Sequence, residues 1–112
     1  MRVELRVRNV DLADALREYI ERKLDFTLGR FGERVGRIRV KISGLNGPRG
    51  GTGASCRISA DLSPFGRVAL QESDVDLYAA IDSAVNRVGR LLGQRLEKLR
   101  DSREEAEIVP AA

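Results

Sequence analysis

The stretch that decides the fold is Asp74-Val75-Asp76-Leu77-Tyr78-Ala79-Ala80-Ile81-Asp82, which predicts the start of a long helix. Its acidic residues come first, where the positive end of a helix dipole favours negative charge. Apolar residues then recur at helical spacing along one face: Leu77, Ile81, Ala84, Val88, Leu91, Leu92, Leu96 and Leu99. A stripe of this length needs a second layer to cover it, so the upstream residues are expected to form a sheet.

Alternating apolar and polar residues upstream predict the strands of that sheet. Val3, Leu5 and Val7 alternate with charged residues near the start of the chain. The same alternation recurs in three later segments: 37–42, 56–62 and 67–70. The chain therefore offers four strands, each with one apolar face.

A shorter helix is predicted between the first two strands. Asp11 is expected to cap it, with Asp14 completing a weak capping box. Its apolar stripe has fourfold spacing: Leu12, Leu16, Ile20 and Leu24. We expect the helix to end between Gly29 and Gly32.

The predicted fold is α+β, a single domain of order β-α-β-β-β-α with both helices packed on one face of a four-stranded sheet. The crossover through the first helix places strand 2 parallel to strand 1, and hairpins join the later strands. At 112 residues the chain can bury one two-layer core. Residues 1–100 are predicted to form this domain. Residues 101–112 lose the apolar period and are predicted to be a mobile acidic tail.

Composition argues against several kinds of site. The chain has no histidine, so no imidazole base or histidine metal ligand is available. Cys56 is the only cysteine, which excludes an intrachain disulfide and favours a small buried hydrophobe. We therefore expect no enzyme activity, no metal, no cofactor and no small-molecule substrate. The chain enters a strand pattern at once and has no apolar stretch of about 18 residues, so a cytoplasmic protein with no membrane partner is expected.

The cations point to a phosphate-rich partner. The net charge is +3 and most cations are arginine, whose planar fork suits phosphate. Four polar residues of the long helix fall within a sector of roughly 80°: Arg87, Arg90, Gln94 and Lys98. Acids are lacking between Asp82 and Glu97, whereas a merely solubilising face usually mixes both signs. An ordinary solvated helix face remains the alternative.

The sheet face turned away from the helices is also predicted to be basic. Its cations are Arg2, Arg6, Arg8, Arg37, Arg39, Lys41, Arg57 and Arg67, opposed only by Glu4 and Asp61. Like charges on neighbouring strands are unfavourable, which favours a covering anion or RNA. The alternative is that long cations shield an exposed sheet. No aromatic residue is predicted on this face, so RNA contacts would read the backbone rather than base sequence.

The glycine-rich segment 44–53 does not match a P-loop, because it lacks a Gly-Lys-Ser/Thr ending and leads into a strand. A long flexible hairpin connection is favoured. Two alternatives stay open: a loop that Arg49 anchors to RNA or a partner, and a phosphate-handling loop around Asn46 and Arg49.

Two phrases carry a family resemblance: Asp14-Ala15-Leu16-Arg17-Glu18-Tyr19-Ile20-Glu21-Arg22-Lys23-Leu24 and Leu77-Tyr78-Ala79-Ala80-Ile81-Asp82. With the strand order, they make the first hundred residues resemble the bacterial ribosome hibernation-promoting factors, also called ribosome-associated inhibitors or sigma-54 modulation proteins. The chain resembles the short form, because it ends before a C-terminal dimerisation domain. It departs from the family in its glycine-rich segment and in the few lysines after the first helix.

The resemblance implies a non-catalytic factor that binds the small ribosomal subunit and its 16S rRNA. Such a factor occupies the mRNA and tRNA channel and inhibits translation under stress or in stationary phase. Helix positions that match the family's RNA contacts are Arg22, Lys23, Arg87, Arg90, Arg95 and Lys98. Sheet candidates are Arg37, Arg39, Lys41 and Arg57. The alternative is a stress-related protein-interaction or transcription-modulating protein that uses the same basic surfaces. The sequence makes no prediction about self-association.

Overall fold

A computed structural model describes residues 1–45, 53–63 and 66–107 of the chain, with side chains as far as Asp101. The elements are β1 (Arg2–Arg8), α1 (Asp14–Leu28), a 3-10 helix (Gly29–Arg34), β2 (Val35–Gly44), β3 (Ala54–Leu62), β4 (Arg67–Asp74) and α2 (Leu77–Glu107). Apart from the 3-10 helix, this is the predicted order. Segments 46–52, 64–65 and 108–112 lie outside the described residues, and with them the predictions about Asn46, Arg49 and the end of the tail.

The four strands form one sheet in the order β1-β2-β3-β4. β1 runs parallel to β2, and the two later pairs are antiparallel, as predicted from the crossover and the hairpins. A register shift between Val35 and Ile38 lets both side chains enter the core although they are three residues apart. Beyond that shift β2 alternates regularly, with Val40 buried and Lys41 exposed.

Both helices cover the apolar face of the sheet and complete a single core. α1 buries residues at fourfold spacing: Leu16, Ile20, Leu24 and Leu28. α2 fully buries Ala80, Ile81, Ala84, Val85, Val88 and Leu92. The sequence predicts Leu91 in this stripe, but it is 36% exposed because it lies at the margin of the buried face. The opposite face of the sheet, which we call the open face, carries no helix formed by the described residues.

The predicted cap of α1 is wrong. The residue before the helix is Ala13, and no side chain caps it; its backbone oxygen accepts hydrogen bonds from the Leu16 and Arg17 amides. Asp11 lies too early in the chain, and Asp14 is the first helical residue. Asn9 has a positive φ of 58° just after β1, and the chain becomes helical only after Ala13.

The acidic run before α2 acts as its N-terminal cap. The Tyr78 amide donates to Asp76 Oδ1 at 3.0 Å, and the Asp76 amide donates to Asp74 Oδ1 at 3.0 Å. Asp74 itself ends β4, so the helix begins at Leu77 and not at the first aspartate. The acids thus have a structural role at the strand-to-helix turn.

The two helices meet at a close contact and at a partly exposed polar cluster. A Cβ atom at Gly89 would lie 2.9 Å from Cγ2 of Thr27, so glycine permits this approach. Tyr19 Oη donates to Asp82 Oδ1 at 2.5 Å, and the Tyr19 and Tyr78 rings pack edge to face, 4.8 Å apart. The hydrogen bond to Asp82, together with burial, raises the pKa of Tyr19 to about 12.

Three smaller findings bear on the sequence predictions. Cys56 is buried, and burial raises the pKa of its thiol to about 12, as fits a small core residue. Among the helices of the described residues, none is long and apolar enough to cross a membrane. The backbone of residues 101–107 continues α2 beyond the predicted end of the domain.

Candidate nucleic-acid interface

Strand register places three cations side by side on the open face. Arg6 of β1 is the register partner of Lys41 of β2, which in turn partners Arg57 of β3. Neighbouring strands lie about 4.8 Å apart, so the row spans roughly 10 Å. All three side chains are exposed, and within the described part of the chain none of them has an ion pair. We call these residues the cation row.

Other cations of the open face are partly neutralised. Glu4 lies between two arginines, with Oε1 3.5 Å from Arg37 Nε and Oε2 3.3 Å from Arg39 Nε. Arg67 Nε donates to Asp61 Oδ1 at 2.9 Å. The two acids expected on this face therefore pair with three of its cations, and no acid in the described part of the chain pairs with the cation row.

A depression of about 320 Å³ lies beside the cation row. Its lining residues are Glu4, Arg6, Arg39, Val40, Lys41, Arg57, Ser59 and Arg67. Ser59 has a short side chain, whereas most of the other lining residues carry long charged ones. Ser59 Oγ is buried and has no hydrogen-bond partner among the described residues. We call this feature the Ser59 depression.

The second basic surface is the solvent side of α2. Arg90, Gln94 and Lys98 are exposed there, in agreement with the helical sector calculated from the sequence. Arg87 belongs to the same sector, but its guanidinium pairs with the Glu72 carboxylate of β4. This ion pair could not be predicted from the helix sequence, because Glu72 belongs to β4.

A groove of about 340 Å³ separates the edge strand β4 from the second half of α2. It is lined by Arg67, Val68, Ala69, Leu91, Gln94, Arg95 and Lys98. Arg67 lines both this groove and the Ser59 depression. The edge of β4 therefore joins the basic open face to the basic side of α2.

The predicted contact residues do not form a single cluster. Arg39, Lys41 and Arg57 meet around the Ser59 depression, and Arg95 and Lys98 line the groove with Arg67. The other predicted positions line neither feature: Arg22, Lys23, Arg37, Arg87 and Arg90. Arg22 is exposed and Lys23 half-buried on α1. The sequence reasoning did not single out Ser59, although it lies on the same strand face as Arg57 and is the register partner of Arg39.

Aromatic side chains are absent from the open face within the described residues. Tyr19, Phe26, Phe31 and Tyr78 all belong to helical elements and not to the strands, while Phe65 lies outside the described part. Phe26 on α1 is 87% exposed. The open face therefore offers charge and hydrogen-bond donors without a stacking platform for bases.

Comparison with known proteins agrees with the architecture. Residues 3–100 match the family model described as sigma 54 modulation protein / S30EA ribosomal protein. The ribosome hibernation promotion factor of Deinococcus radiodurans is 30% identical over 108 residues, which are 96% of this chain and 55% of that protein. This chain thus spans about half the length of that relative.

Solved structures share the fold. The N-terminal domain of Thermus thermophilus Protein Y is 33% identical, with a TM-score of 0.70 over 84% of this chain and 98% of that one. A ribosomal subunit interface protein from Coxiella burnetii has a TM-score of 0.74 at 18% identity, over 87% and 99% of the two chains. Since the family match covers nearly all of the folded domain, the chain belongs to the sigma 54 modulation protein / S30EA ribosomal protein family.

Proposed function

We propose that this protein is a non-catalytic cytoplasmic factor that binds the small ribosomal subunit and inhibits translation under stress or in stationary phase. Family membership supports this proposal, as do two of the similar proteins, which are named as a ribosome hibernation promotion factor and a ribosomal subunit interface protein. The observation that carries it is the basic surface that runs from the open face around the edge of β4 to α2. Such a surface suits ribosomal RNA.

A domain that is basic on two opposite sides fits a channel with RNA on both walls. The open face presents the cation row, and the helix side presents Arg90 and Lys98. Each side can neutralise phosphates and release counterions, which favours binding without reading base sequence. In the mRNA and tRNA channel of the small subunit, the bound domain would exclude both ligands by its volume.

The proposed contacts differ in strength. Arg90 and Lys98 are exposed and free of described acids, so they are the leading helix contacts, with Arg95 beside them in the groove. The ion pair with Glu72 partly neutralises the charge of Arg87 and so weakens its attraction for phosphate. On the open face, Lys41 and Arg57 are expected to contribute more than Arg37 and Arg39, since Glu4 partly neutralises that pair. Arg22 and Lys23 extend the proposed helix side onto α1.

Cosedimentation with purified small and large ribosomal subunits at several salt concentrations tests the proposal. We expect the protein to pellet with small subunits. The logarithm of its affinity should fall linearly with the logarithm of salt concentration, with a slope of about 0.7 to 0.9 for each phosphate contacted. A slope near zero would contradict electrostatic attachment. Pelleting with large subunits alone would contradict the proposed partner.

A further inference from the structure

We propose that the Ser59 depression is a binding site for a compact phosphate anion, such as a diphosphate group. The proposal goes beyond ribosome binding, because it concerns the isolated domain and a defined pocket on the open face. Three independent features of the structure lead to it: uncompensated charge, an unpartnered buried hydroxyl and a recess of suitable size.

The charge at the depression matches a diphosphate. Of the five cations in its lining, Arg39 and Arg67 have acidic partners, which leaves Arg6, Lys41 and Arg57. Three like charges within roughly 10 Å repel one another, and no acid among the described residues forms an ion pair with them, since Glu4 in the same lining pairs with Arg37 and Arg39. An anion with two or three negative charges would remove this repulsion and receive charge-assisted hydrogen bonds from both arginines.

The buried hydroxyl of Ser59 distinguishes this recess from an ordinary solvated sheet face. A buried hydroxyl normally has a hydrogen-bond partner, because desolvating it without one is unfavourable. Ser59 Oγ lacks a partner among the described residues and lines the same recess as the three free cations. A phosphate oxygen in the recess would accept the Ser59 hydrogen bond and complete the site.

The shape of the recess favours phosphate over base recognition. Its volume of about 320 Å³ is at the lower end of the range for ligand pockets and is ample for a diphosphate. None of its lining residues is aromatic, so it offers no surface on which a base would stack. Two sources share this chemistry: a free oligophosphate and the phosphates of an RNA backbone.

Calorimetric titration of the whole chain with pyrophosphate tests the site. The wild-type protein should bind, and Arg57→Gln should weaken binding by at least about tenfold, because a charge-assisted contact is lost. Arg17→Gln is the matched control: the same charge is removed from an exposed position on α1, which lies on the opposite side of the sheet. It should bind within about twofold of wild type.

Ser59→Ala separates a hydroxyl contact from general charge attraction. The variant should bind pyrophosphate several-fold more weakly while its melting temperature stays the same or rises, because the lost hydroxyl had no partner in the free protein. The proposal is overturned if the wild type does not bind, if Arg57→Gln and Arg17→Gln bind equally, or if Ser59→Ala binds as the wild type does.

Competition with a short oligouridylate distinguishes the two sources. Displacement of pyrophosphate at equal phosphate concentration assigns the recess to RNA backbone phosphates, and retention assigns it to a free oligophosphate. Pelleting with ribosomal subunits is measured separately on the same variants. A wild-type protein that pellets but does not bind pyrophosphate refutes only this site, whereas one that binds pyrophosphate but does not pellet refutes only the ribosomal function.

Discussion

Lys41 of β2 and Arg57 of β3 are direct register partners on the open face, and no described acid neutralises either side chain. The two side chains therefore start from backbones about 4.8 Å apart, and their positive charges lie close together. Like charges in this position destabilise a sheet by tenths of a kcal/mol up to about 1 kcal/mol. We therefore expect the pair to weaken the fold and to favour an anionic partner.

Replacing Arg57 with glutamine is therefore expected to stabilise the free protein. At low ionic strength the free energy of unfolding should rise by about 0.2 to 1 kcal/mol, and the gain should shrink at high salt because screening already weakens the repulsion. Urea unfolding at two salt concentrations measures the effect. Arg67→Gln is the control, since it removes an arginine that pairs with Asp61 and should give no gain. Destabilisation by Arg57→Gln at low salt would contradict an unfavourable cation row.

The cap at the start of α2 gives a second prediction. Asp76→Ala should lower the free energy of unfolding by about 1 kcal/mol, because the Tyr78 amide loses its side-chain acceptor. Asp76→Asn should retain most of the stability, since asparagine offers an oxygen in the same position. Chemical denaturation of both variants decides the matter. Equal losses in the two variants would mean that the charge, and not the hydrogen bond, stabilises this end of the helix.

The Tyr19–Asp82 hydrogen bond predicts a pH effect. Because folding raises the pKa of Tyr19 from 10.0 to about 12, this contribution to stability is fully present below pH 10 and is lost as the pH rises through 12. The chain has two tyrosines, so Tyr78→Phe leaves Tyr19 as the sole ultraviolet reporter. Its absorbance should change near pH 12 in the folded protein. A midpoint at the ordinary value of 10.0 would show that the hydrogen bond does not hold the proton.

Removal of residues 101–112 should leave the domain intact. Leu96 packs against the core, but between Leu99 and Ala106 the sequence has no apolar residue with which to continue that contact. We expect the free energy of unfolding to change by less than about 1 kcal/mol, measured by urea denaturation of the truncated chain. A larger loss would indicate that this segment contacts the folded domain.

Much of the fold could be predicted because periodicity reports burial directly. The alternation of residues such as Val40 and Lys41 located a strand, and the fourfold spacing of Ile20 and Leu24 located a helix face. The N-cap of α1 was mispredicted. Asp11 fits a capping pattern, but the residue before the helix is Ala13, and a capping pattern alone does not fix the residue at which the backbone becomes helical.

The candidate site was less accessible from sequence because it depends on register and on pairs between elements. Helical spacing placed Arg90 and Lys98 on one surface, yet it could not reveal that Glu72 reaches Arg87 from β4. The cations of the open face were likewise predictable one strand at a time. Only the pairing of β1, β2 and β3 places Ser59 beside Arg39 and among the cations that line the recess.

Pelleting of a helix-surface variant with small ribosomal subunits, at one fixed salt concentration, tests the proposed function most directly. Arg90→Glu/Lys98→Glu reverses two exposed charges that have no described ion pair, so the domain should stay folded and lose most of its binding. Arg17→Glu/Arg34→Glu makes the same change in net charge at exposed positions outside the proposed contacts, and it should still pellet. Unaltered pelleting of the folded Arg90→Glu/Lys98→Glu protein would contradict the assignment of α2 as the ribosomal contact.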